Sequence, residues 1–231
     1  ADGSDQLRLG GTFFGGESQP SYSHHTNPIQ QRIVYVADYS SGGASIGIYS
    51  MDKSGNNQTL LTDTSDCYGA LRNHRSKRPG RSGYFPGIFG PDTPNYSPDD
   101  QYIIFGAEGD NGINVYRIDA DGSNCTMIYE SDNSYAPTQA RYSPDGTKIA
   151  LYHEDSSNVK KIRIIDSADG TIVDELTPTD LWSSPVWSPD GTRIAYLAGG
   201  YDTQNNVEIP NLTVRSVDLS NYNDELMYQQ D

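Results

Sequence analysis

Apolar residues in this chain fall into short segments that end in turn-forming residues. Three of these segments are rich in β-branched and aromatic side chains, and each begins shortly after a Pro-Asp pair. They are Tyr102–Phe105, Lys148–Tyr152 and Arg193–Leu197. Short apolar segments of this composition, bounded by turn residues, predict β-strands. We therefore expect an all-β chain.

These strands belong to an internal repeat. Its signature is an aromatic residue followed by Ser-Pro-Asp and then Gly or Asp, found at Tyr96–Asp100, Tyr142–Gly146 and Trp187–Gly191. Proline sets φ at the second turn position and glycine accepts a positive φ, so each signature predicts the turn of a β-hairpin. The prolines of the three copies are 46 and 45 residues apart.

Each copy continues with two more predicted strands. The third strands are Ile113–Ile118, Lys161–Ile165 and Leu212–Val217, and the short fourth strands are Thr126–Tyr129, Ile172–Leu176 and Glu225–Tyr228. Four strands in about 45 residues is the period of a propeller blade. A weaker first copy starts near Pro28, and its predicted strands are Arg32–Val36, Ile46–Met51 and Thr59–Thr62.

The domain organisation follows from this period. We expect a β-propeller of about four four-stranded blades over residues 28–231, preceded by a flexible N-terminal arm, residues 1–27. The first blade is followed by an insertion at about residues 67–94, since the spacing from Pro28 to Pro98 exceeds one period.

The hairpin signature and the Ile-Ala strand after it, at Ile149–Ala150 and Ile194–Ala195, resemble the TolB-type, WD-like propeller repeat. The resemblance covers roughly residues 28–231, with three strong copies and one degenerate copy. Members of this family include periplasmic TolB and the propellers attached to prolyl-oligopeptidase-like hydrolases. TolB combines an N-terminal α/β domain with six such blades, so the resemblance implies the fold and does not carry TolB's role to this chain.

Charge and hydropathy limit the classes of partner that the chain can bind. The 231 residues carry a net charge of −15, with an isoelectric point near 4.4, and such a surface repels nucleic acid and anionic lipid. No run of 18 apolar residues is present, so we expect no membrane span. Ala1 is compatible with a mature N-terminus left by signal cleavage. We therefore expect an extracytoplasmic protein, secreted or periplasmic, with a protein partner.

The chain has two cysteines, Cys67 and Cys125. They form no CxxC motif, which excludes a zinc knuckle or a c-type haem site by spacing. In an oxidising compartment they could form one disulfide, which would close a loop of about 59 residues and stabilise the fold by about 4 kcal/mol. Two unrelated buried thiols are the alternative.

The N-terminal arm holds candidate interaction residues. Leu7 and Leu9 alternate with polar residues, and Phe13 and Phe14 lie between pairs of glycines. The arm is either a strand of its own propeller or a segment that adds a strand or an aromatic plug to a neighbouring subunit.

The insertion combines basic and aromatic residues, namely Arg72, Arg75, Lys77, Arg78, Arg81, Tyr84 and Phe85. It is either a solvated loop or a segment that docks onto an acidic surface of a partner or another copy. Nucleic-acid binding is disfavoured because the rest of the chain is acidic. A head-to-tail contact between copies would grow into a fibre.

The sequence motifs that could indicate catalysis or metal binding are weak. Gly43–Gly47 matches the G-x-S-x-G pattern of a nucleophile elbow, but a predicted strand follows it where that motif needs a helix. The four histidines lack metal-site spacing, and Asp119–Asn124 departs from a calcium loop in the position of its glycine. We assign no catalytic, metal or cofactor residue, and leave calcium on another acidic loop open. Glycosylation sequons, relevant only in a host that modifies asparagine, begin at Asn57, Asn124 and Asn211.

The sequence thus favours a non-enzymatic, extracytoplasmic propeller for protein interaction or self-assembly, including head-to-tail polymerisation through the arm and the basic insertion. The alternative is an accessory propeller of a hydrolase, or a peptide- or glycan-binding module. A gene that continues past Asp231 into a hydrolase domain would favour the alternative.

Overall fold

The computed structural model is built of β-strands, and the residues that it describes include no helix. Those residues are 20–27, 30–38, 46–63, 92–108, 113–131, 139–155, 157, 159–178, 181, 185–202 and 207–229.

Within these ranges, sixteen strands form four sheets of four strands, and in each sheet consecutive strands are neighbours. The first sheet, blade 1, contains β1 (Ser21–Tyr22), β2 (Arg32–Asp38), β3 (Ile46–Asp52) and β4 (Thr59–Asp63). Blade 2 contains β5 (Asp92–Tyr96), β6 (Tyr102–Glu108), β7 (Ile113–Asp119) and β8 (Thr126–Tyr129). Blade 3 contains β9 (Arg141–Tyr142), β10 (Lys148–Glu154), β11 (Lys160–Asp166) and β12 (Ile172–Leu176). Blade 4 contains β13 (Val186–Trp187), β14 (Arg193–Asp202), β15 (Val207–Asp218) and β16 (Asp224–Gln229).

The expected fold, four four-stranded propeller blades, is confirmed. Several boundaries differ from the sequence expectation, including the following three. Ser21–Tyr22, assigned to the arm, pairs with β2 as the first strand of blade 1. Strand β5 takes in Asp92–Pro94, which had been assigned to the insertion, and β15 starts at Val207 instead of Leu212. The first strand of a blade is only two to five residues long, too short for a hydrophobic period to show it.

The Ser-Pro-Asp turns have the same geometry in blades 2, 3 and 4. In blade 3, the Ser143 hydroxyl donates to Asp145 Oδ1 at 2.6 Å and accepts from the Lys148 N–H at 2.9 Å, while the Gly146 N–H donates to the Ser143 carbonyl at 2.9 Å. The same three bonds, with the same lengths, recur from Ser97 and Ser188. The turn therefore satisfies its polar groups locally, which explains why its sequence recurs.

The connections between third and fourth strands lie against the preceding blade. A Cβ placed on Gly170, in the β11–β12 connection, would overlap the carbonyl oxygen of Ile128 in β8. A Cβ on Gly122, in the β7–β8 connection, would overlap the carbonyl of Leu61 in β4. These are close backbone approaches that only glycine permits. In blade 4, Tyr222 replaces the glycine, and its hydroxyl donates to Asp174 Oδ2 of β12 at 3.0 Å.

The chain divides into two compact units. The first comprises residues 1–110 and 116–127. Its core joins blades 1 and 2: Val34 and Ile48 pack with Ile103 and Phe105, and the Phe105 ring stacks on Tyr116 with centroids 5.8 Å apart.

The second unit comprises residues 111–115 and 128–231. Its core joins blades 3 and 4: Ile162 and Leu176 pack with Ile194 and Tyr196. The central strands are buried over most of their length, with Ile149, Ala150 and Leu151 fully inaccessible. Successive side chains of a strand point to opposite faces, so both faces of blade 3 are covered.

Cys125 is disulfide-bonded and packs partly buried against the core of the first unit. The other cysteine, Cys67, lies outside the described residues. Its pairing with Cys125 stays a prediction.

The contact of Gly170 with β8 predicts a large loss of stability in Gly170→Ala. A left-handed φ costs a non-glycine residue about 1–2 kcal/mol, and steric overlap in a packed site adds about 1–3 kcal/mol. Gly191→Ala is the matched control because its φ is also positive but its Cβ would lie 3.6 Å from Pro144, an ordinary contact. Urea unfolding should show Gly170→Ala to be the more destabilised variant. Equal losses would contradict the close approach.

The turn aspartates predict a loss of stability in acid. Hydrogen bonds from the Ser188 hydroxyl and then from the N–H and hydroxyl of Thr192 lower the pKa of Asp190 to about 2. A lowered folded-state pKa stabilises the fold above the ordinary value near 4, and this contribution disappears as the pH falls through about 2. Urea midpoints measured between pH 5 and pH 2 should therefore fall less steeply in Asp190→Asn than in the native chain. Parallel pH profiles would refute the assignment.

Candidate interaction surface

The last strand of each blade has an open edge. Strands β4, β8, β12 and β16 each end the order of their sheet and, within the described residues, pair on one side only. A further strand can add to such an edge through its backbone N–H and C=O groups. The structure thus offers four candidate sites for strand addition.

Strand β16 differs from its equivalents in exposure. Thr62, Leu176 and Tyr228 occupy the same register position, each opposite the residue four before the aspartate that ends the third strand. Thr62 is 1% exposed and Leu176 is 6% exposed, whereas Tyr228 is 62% exposed. A position that is core in blades 1 and 3 is therefore surface in blade 4.

Both neighbours of Tyr228 in the chain share this exposure. Leu226 is 52% exposed and Met227 is 61% exposed. Leu226 and Tyr228 pair with Arg215 and Val214, which are adjacent in β15 and point to opposite faces, so both faces of β16 carry uncovered apolar side chains. We refer to Leu226, Met227 and Tyr228 as the β16 patch.

Polar contacts fix the start of β16 and leave the patch uncovered. Asp224 accepts from Arg215 Nε at 3.0 Å and from the Tyr196 hydroxyl at 2.8 Å. Burial raises the pKa of Tyr196, and the hydrogen bond to Asp224 raises it further, so this hydroxyl stays a donor. Glu225 Oε2 accepts from Arg193 Nη2 at 2.9 Å. The strand is therefore held in place at its first two residues.

We call the fourth strand of a blade its outer strand. The outer strand of blade 3, β12, differs in composition from β16. Opposite Arg163, β12 carries Glu175, which accepts from Arg163 Nε and Lys161 Nζ, both at 2.7 Å. The hydrogen bond from Lys161, followed by that from Arg163, lowers the pKa of the Glu175 carboxyl. Opposite Arg215, β16 carries Leu226 at the corresponding position. The glutamate that faces an arginine in blade 3 is thus replaced by a leucine in blade 4.

A partly buried contact anchors the segment before β2. The Asp100 carboxylate accepts from the His24 backbone N–H at 2.6 Å, lies 3.1 Å from His24 Nδ1 and lies 3.6 Å from His25 Nε2. Asp100 has a φ of 59° at the turn position that is glycine in blades 3 and 4. The side chain that replaces glycine therefore ties residues 24–25 to blade 2. The departure of Asp100 from the repeat is the sequence signal for this contact.

Several sequence predictions fall on residues that the structure does not describe. The interaction residues among them are Leu7, Leu9, Phe13, Phe14, Arg72, Arg75, Lys77, Arg78, Arg81, Tyr84 and Phe85, and their roles stay predictions. The β16 patch was not among the predicted sites, although its strand was. The sequence feature at this site is the run Leu-Met-Tyr, at register positions where β12 has Glu175 and Leu176.

The other candidate chemistry of the sequence has structural explanations. Ser45 lies outside the described residues, but strand β3 begins at Ile46, so the helix that a nucleophile elbow needs does not follow it. The Asp119 carboxylate accepts from Asn124 Nδ2 at 2.7 Å, as a turn residue does. In the described ranges, no group of three or more His, Cys, Asp or Glu side chains is arranged to hold a metal ion. The same ranges contain no helix long and apolar enough to cross a membrane.

Comparison with known proteins agrees with the fold. No protein-family model matches the chain. An uncharacterised protein of Agrobacterium fabrum is 27% identical over 188 residues, which cover 77% of this chain and 55% of that protein. TolB from Acinetobacter baumannii has a TM-score of 0.63 at 22% identity, with 95% of this chain and 45% of TolB covered. The β-propeller domain of the trilobed protease from Pyrococcus furiosus has a TM-score of 0.56 at 12% identity, with 92% and 57% covered.

These likenesses confirm that the chain has the TolB-like β-propeller fold indicated by its repeat. The chain spans about half the length of the proteins it matches. The activities of those longer proteins therefore do not follow for this chain.

The contrast in burial predicts different costs for the same substitution in two outer strands. Leu176→Ala should destabilise the fold by about 2–5 kcal/mol because it leaves a cavity in the core of the second unit. Leu226→Ala should stay within about 0.5 kcal/mol of the native chain because that side chain is already half exposed. Urea unfolding measures both. A large loss in Leu226→Ala would mean that the patch is covered.

Proposed function

We propose that this propeller is a non-enzymatic, extracytoplasmic interaction module that associates with further copies of itself. In this proposal, strand β16 of one copy accepts the N-terminal arm of another as an additional strand. The observation that carries the proposal is the exposure of Tyr228 at a register position that is buried in blades 1 and 3.

A strand is the occupant that this surface fits best. The edge of β16 offers backbone donors and acceptors, and the patch offers apolar side chains on both faces beside that edge. In the arm, Leu7 and Leu9 alternate with polar residues, and Phe13 and Phe14 follow. An added strand of this kind pairs its backbone with the edge and packs its apolar side chains on the patch.

Magnitudes indicate that the patch alone does not suffice. Covering three half-exposed apolar side chains contributes about 3–4 kcal/mol in total, whereas a micromolar complex needs about 8 kcal/mol beyond the cost of association. The backbone ladder and the side chains of the arm must supply the remainder. The basic residues between 72 and 81 provide a second contact, onto the acidic surface of the next copy.

The proposed location outside the cytoplasm is supported by Cys125. A structural disulfide persists in oxidising compartments and is rare in the cytosol of mesophiles. A copy-to-copy contact between an arm and the edge of β16 joins two different surfaces, so it is head-to-tail and extends into a fibre unless the geometry closes a ring.

A second function, as the accessory propeller of a hydrolase, is favoured by one observation. The propeller domain of the Pyrococcus furiosus protease shares the fold over 92% of this chain. In that case the partner is a hydrolase, and the isolated chain stays monomeric.

Matched methionine variants test self-association. Met227→Glu places a charge in the β16 patch, and Met127→Glu places the same charge at an exposed position of β8, another outer strand. Light scattering and sedimentation velocity of the native chain should show oligomers. We expect Met227→Glu and deletion of residues 1–16 each to reduce the association constant at least tenfold, and Met127→Glu to leave it unchanged.

Two results would contradict the proposal. A native chain that stays monomeric at high concentration rules out self-association and leaves the hydrolase partner. Oligomers that survive both Met227→Glu and removal of the arm would place the contact elsewhere. Urea unfolding of each variant separates loss of association from loss of folding.

A further inference from the structure

Two of the four sequons in the chain occupy the same structural position in neighbouring blades. Asn57 lies in the connection from β3 to β4, and Asn124 lies in the connection from β7 to β8. Their φ angles are 52° and 55°, in the left-handed region that asparagine tolerates better than most residues. The other two sequons begin inside strands, at Asn95 in β5 and at Asn211 in β15.

The side-chain amide makes the same contact at both positions. Asn57 Nδ2 donates to Asp52 Oδ2 at 2.9 Å, and Asn124 Nδ2 donates to Asp119 Oδ2 at 2.7 Å. A primary amide nitrogen carries two hydrogens. One hydrogen orients the amide through the aspartate, and the second remains for substitution.

Both sequons lie at the surface. Asn57, Thr59, Asn124 and Thr126 are exposed. The Thr59 and Thr126 hydroxyls lie 3.4 and 3.3 Å from the carbonyl oxygens of their asparagines. The outer strand begins at that threonine, so a group attached to the asparagine would project from the end of an open-edged strand without displacing core residues.

The turn itself does not require this sequence. The corresponding connections of blades 3 and 4 have five residues and a single left-handed residue, Gly170 or Tyr222. Those of blades 1 and 2 have six residues and a second left-handed residue, the sequon asparagine. The extra residue is therefore an addition to a turn that closes without it.

We infer that Asn57 and Asn124 are N-glycosylation sites. The glycan donor is a lipid-linked oligosaccharide. The amide nitrogen forms a bond to the anomeric carbon of the sugar, the bond between that carbon and the lipid phosphate oxygen breaks, and the electron pair leaves with the lipid phosphate. The displaced amide proton passes to a base of the transferase. The remaining N–H can still donate to Asp52 or Asp119.

The disulfide at Cys125 supports this inference independently. Cys125 is the middle residue of the second sequon and is disulfide-bonded. Disulfide formation and transfer of glycans to Asn-x-Ser/Thr both belong to proteins that leave the cytoplasm. The inference does not depend on self-association.

Peptide mass spectrometry of the protein isolated from its native host tests the inference. Peptides containing Asn57 and Asn124 should carry hexose or N-acetylhexosamine additions at the asparagine. Expressed in that host, Thr59→Val should abolish the addition at Asn57 and leave that at Asn124, and Thr126→Val should do the reverse. These variants keep a β-branched residue at the start of the strand and leave the asparagine in its turn.

Asn223→Gln is the control, because Asn223 is exposed in the corresponding connection of blade 4 but begins no sequon. It should not change the glycan content. Native peptides at the unmodified mass would overturn the inference. So would additions that persist at Asn57 in Thr59→Val.

Discussion

The structure depends on covering both faces of each blade. In β10, Ile149 and Leu151 point to one face, and Ala150 and Tyr152 point to the other, and all four are buried. A four-stranded sheet with two apolar faces cannot bury them alone, so each blade is stable only between neighbours. The same requirement makes the exposure of β16 unusual. At the register position where β12 has the buried Leu176, β16 has the exposed Tyr228.

Two kinds of contact stabilise a blade, and they differ in the sequence separation of the residues that they join. The Ser-Pro-Asp turns bond within six residues, from Ser143 to Lys148 in blade 3, and need no neighbour. The approach of Gly170 to Ile128 joins residues of different blades and forms only when the blades stack. Local turns therefore define the strands, while glycine and tyrosine in the outer connections define how closely consecutive blades approach.

This difference explains what the sequence could predict. The turn and strand pattern of blades 2 to 4 was readable because its bonds are local. Strand β1 was missed since a two-residue strand has no period, and Asp100 was missed because its partner His24 is 76 residues away. The β16 patch was missed for a third reason. The exposure of a strand depends on what covers it. The composition of Leu-Met-Tyr in β16 would also suit a buried strand, as Ile128 and Tyr129 in β8 show.

The two proposals make opposite demands on the outer strands, and the chain satisfies both. A glycan at the start of an outer strand obstructs the approach of another strand to its edge, so a sequon in the connection before an outer strand and a strand-accepting edge should not share a blade. Blades 1 and 2 carry sequons where their outer strands begin, at Asn57 and Asn124. In blade 4 the corresponding connection reads Asn223-Asp-Glu, which is no sequon, and β16 carries the apolar patch. Modification and self-association can therefore occur on one chain, because each uses a different outer strand.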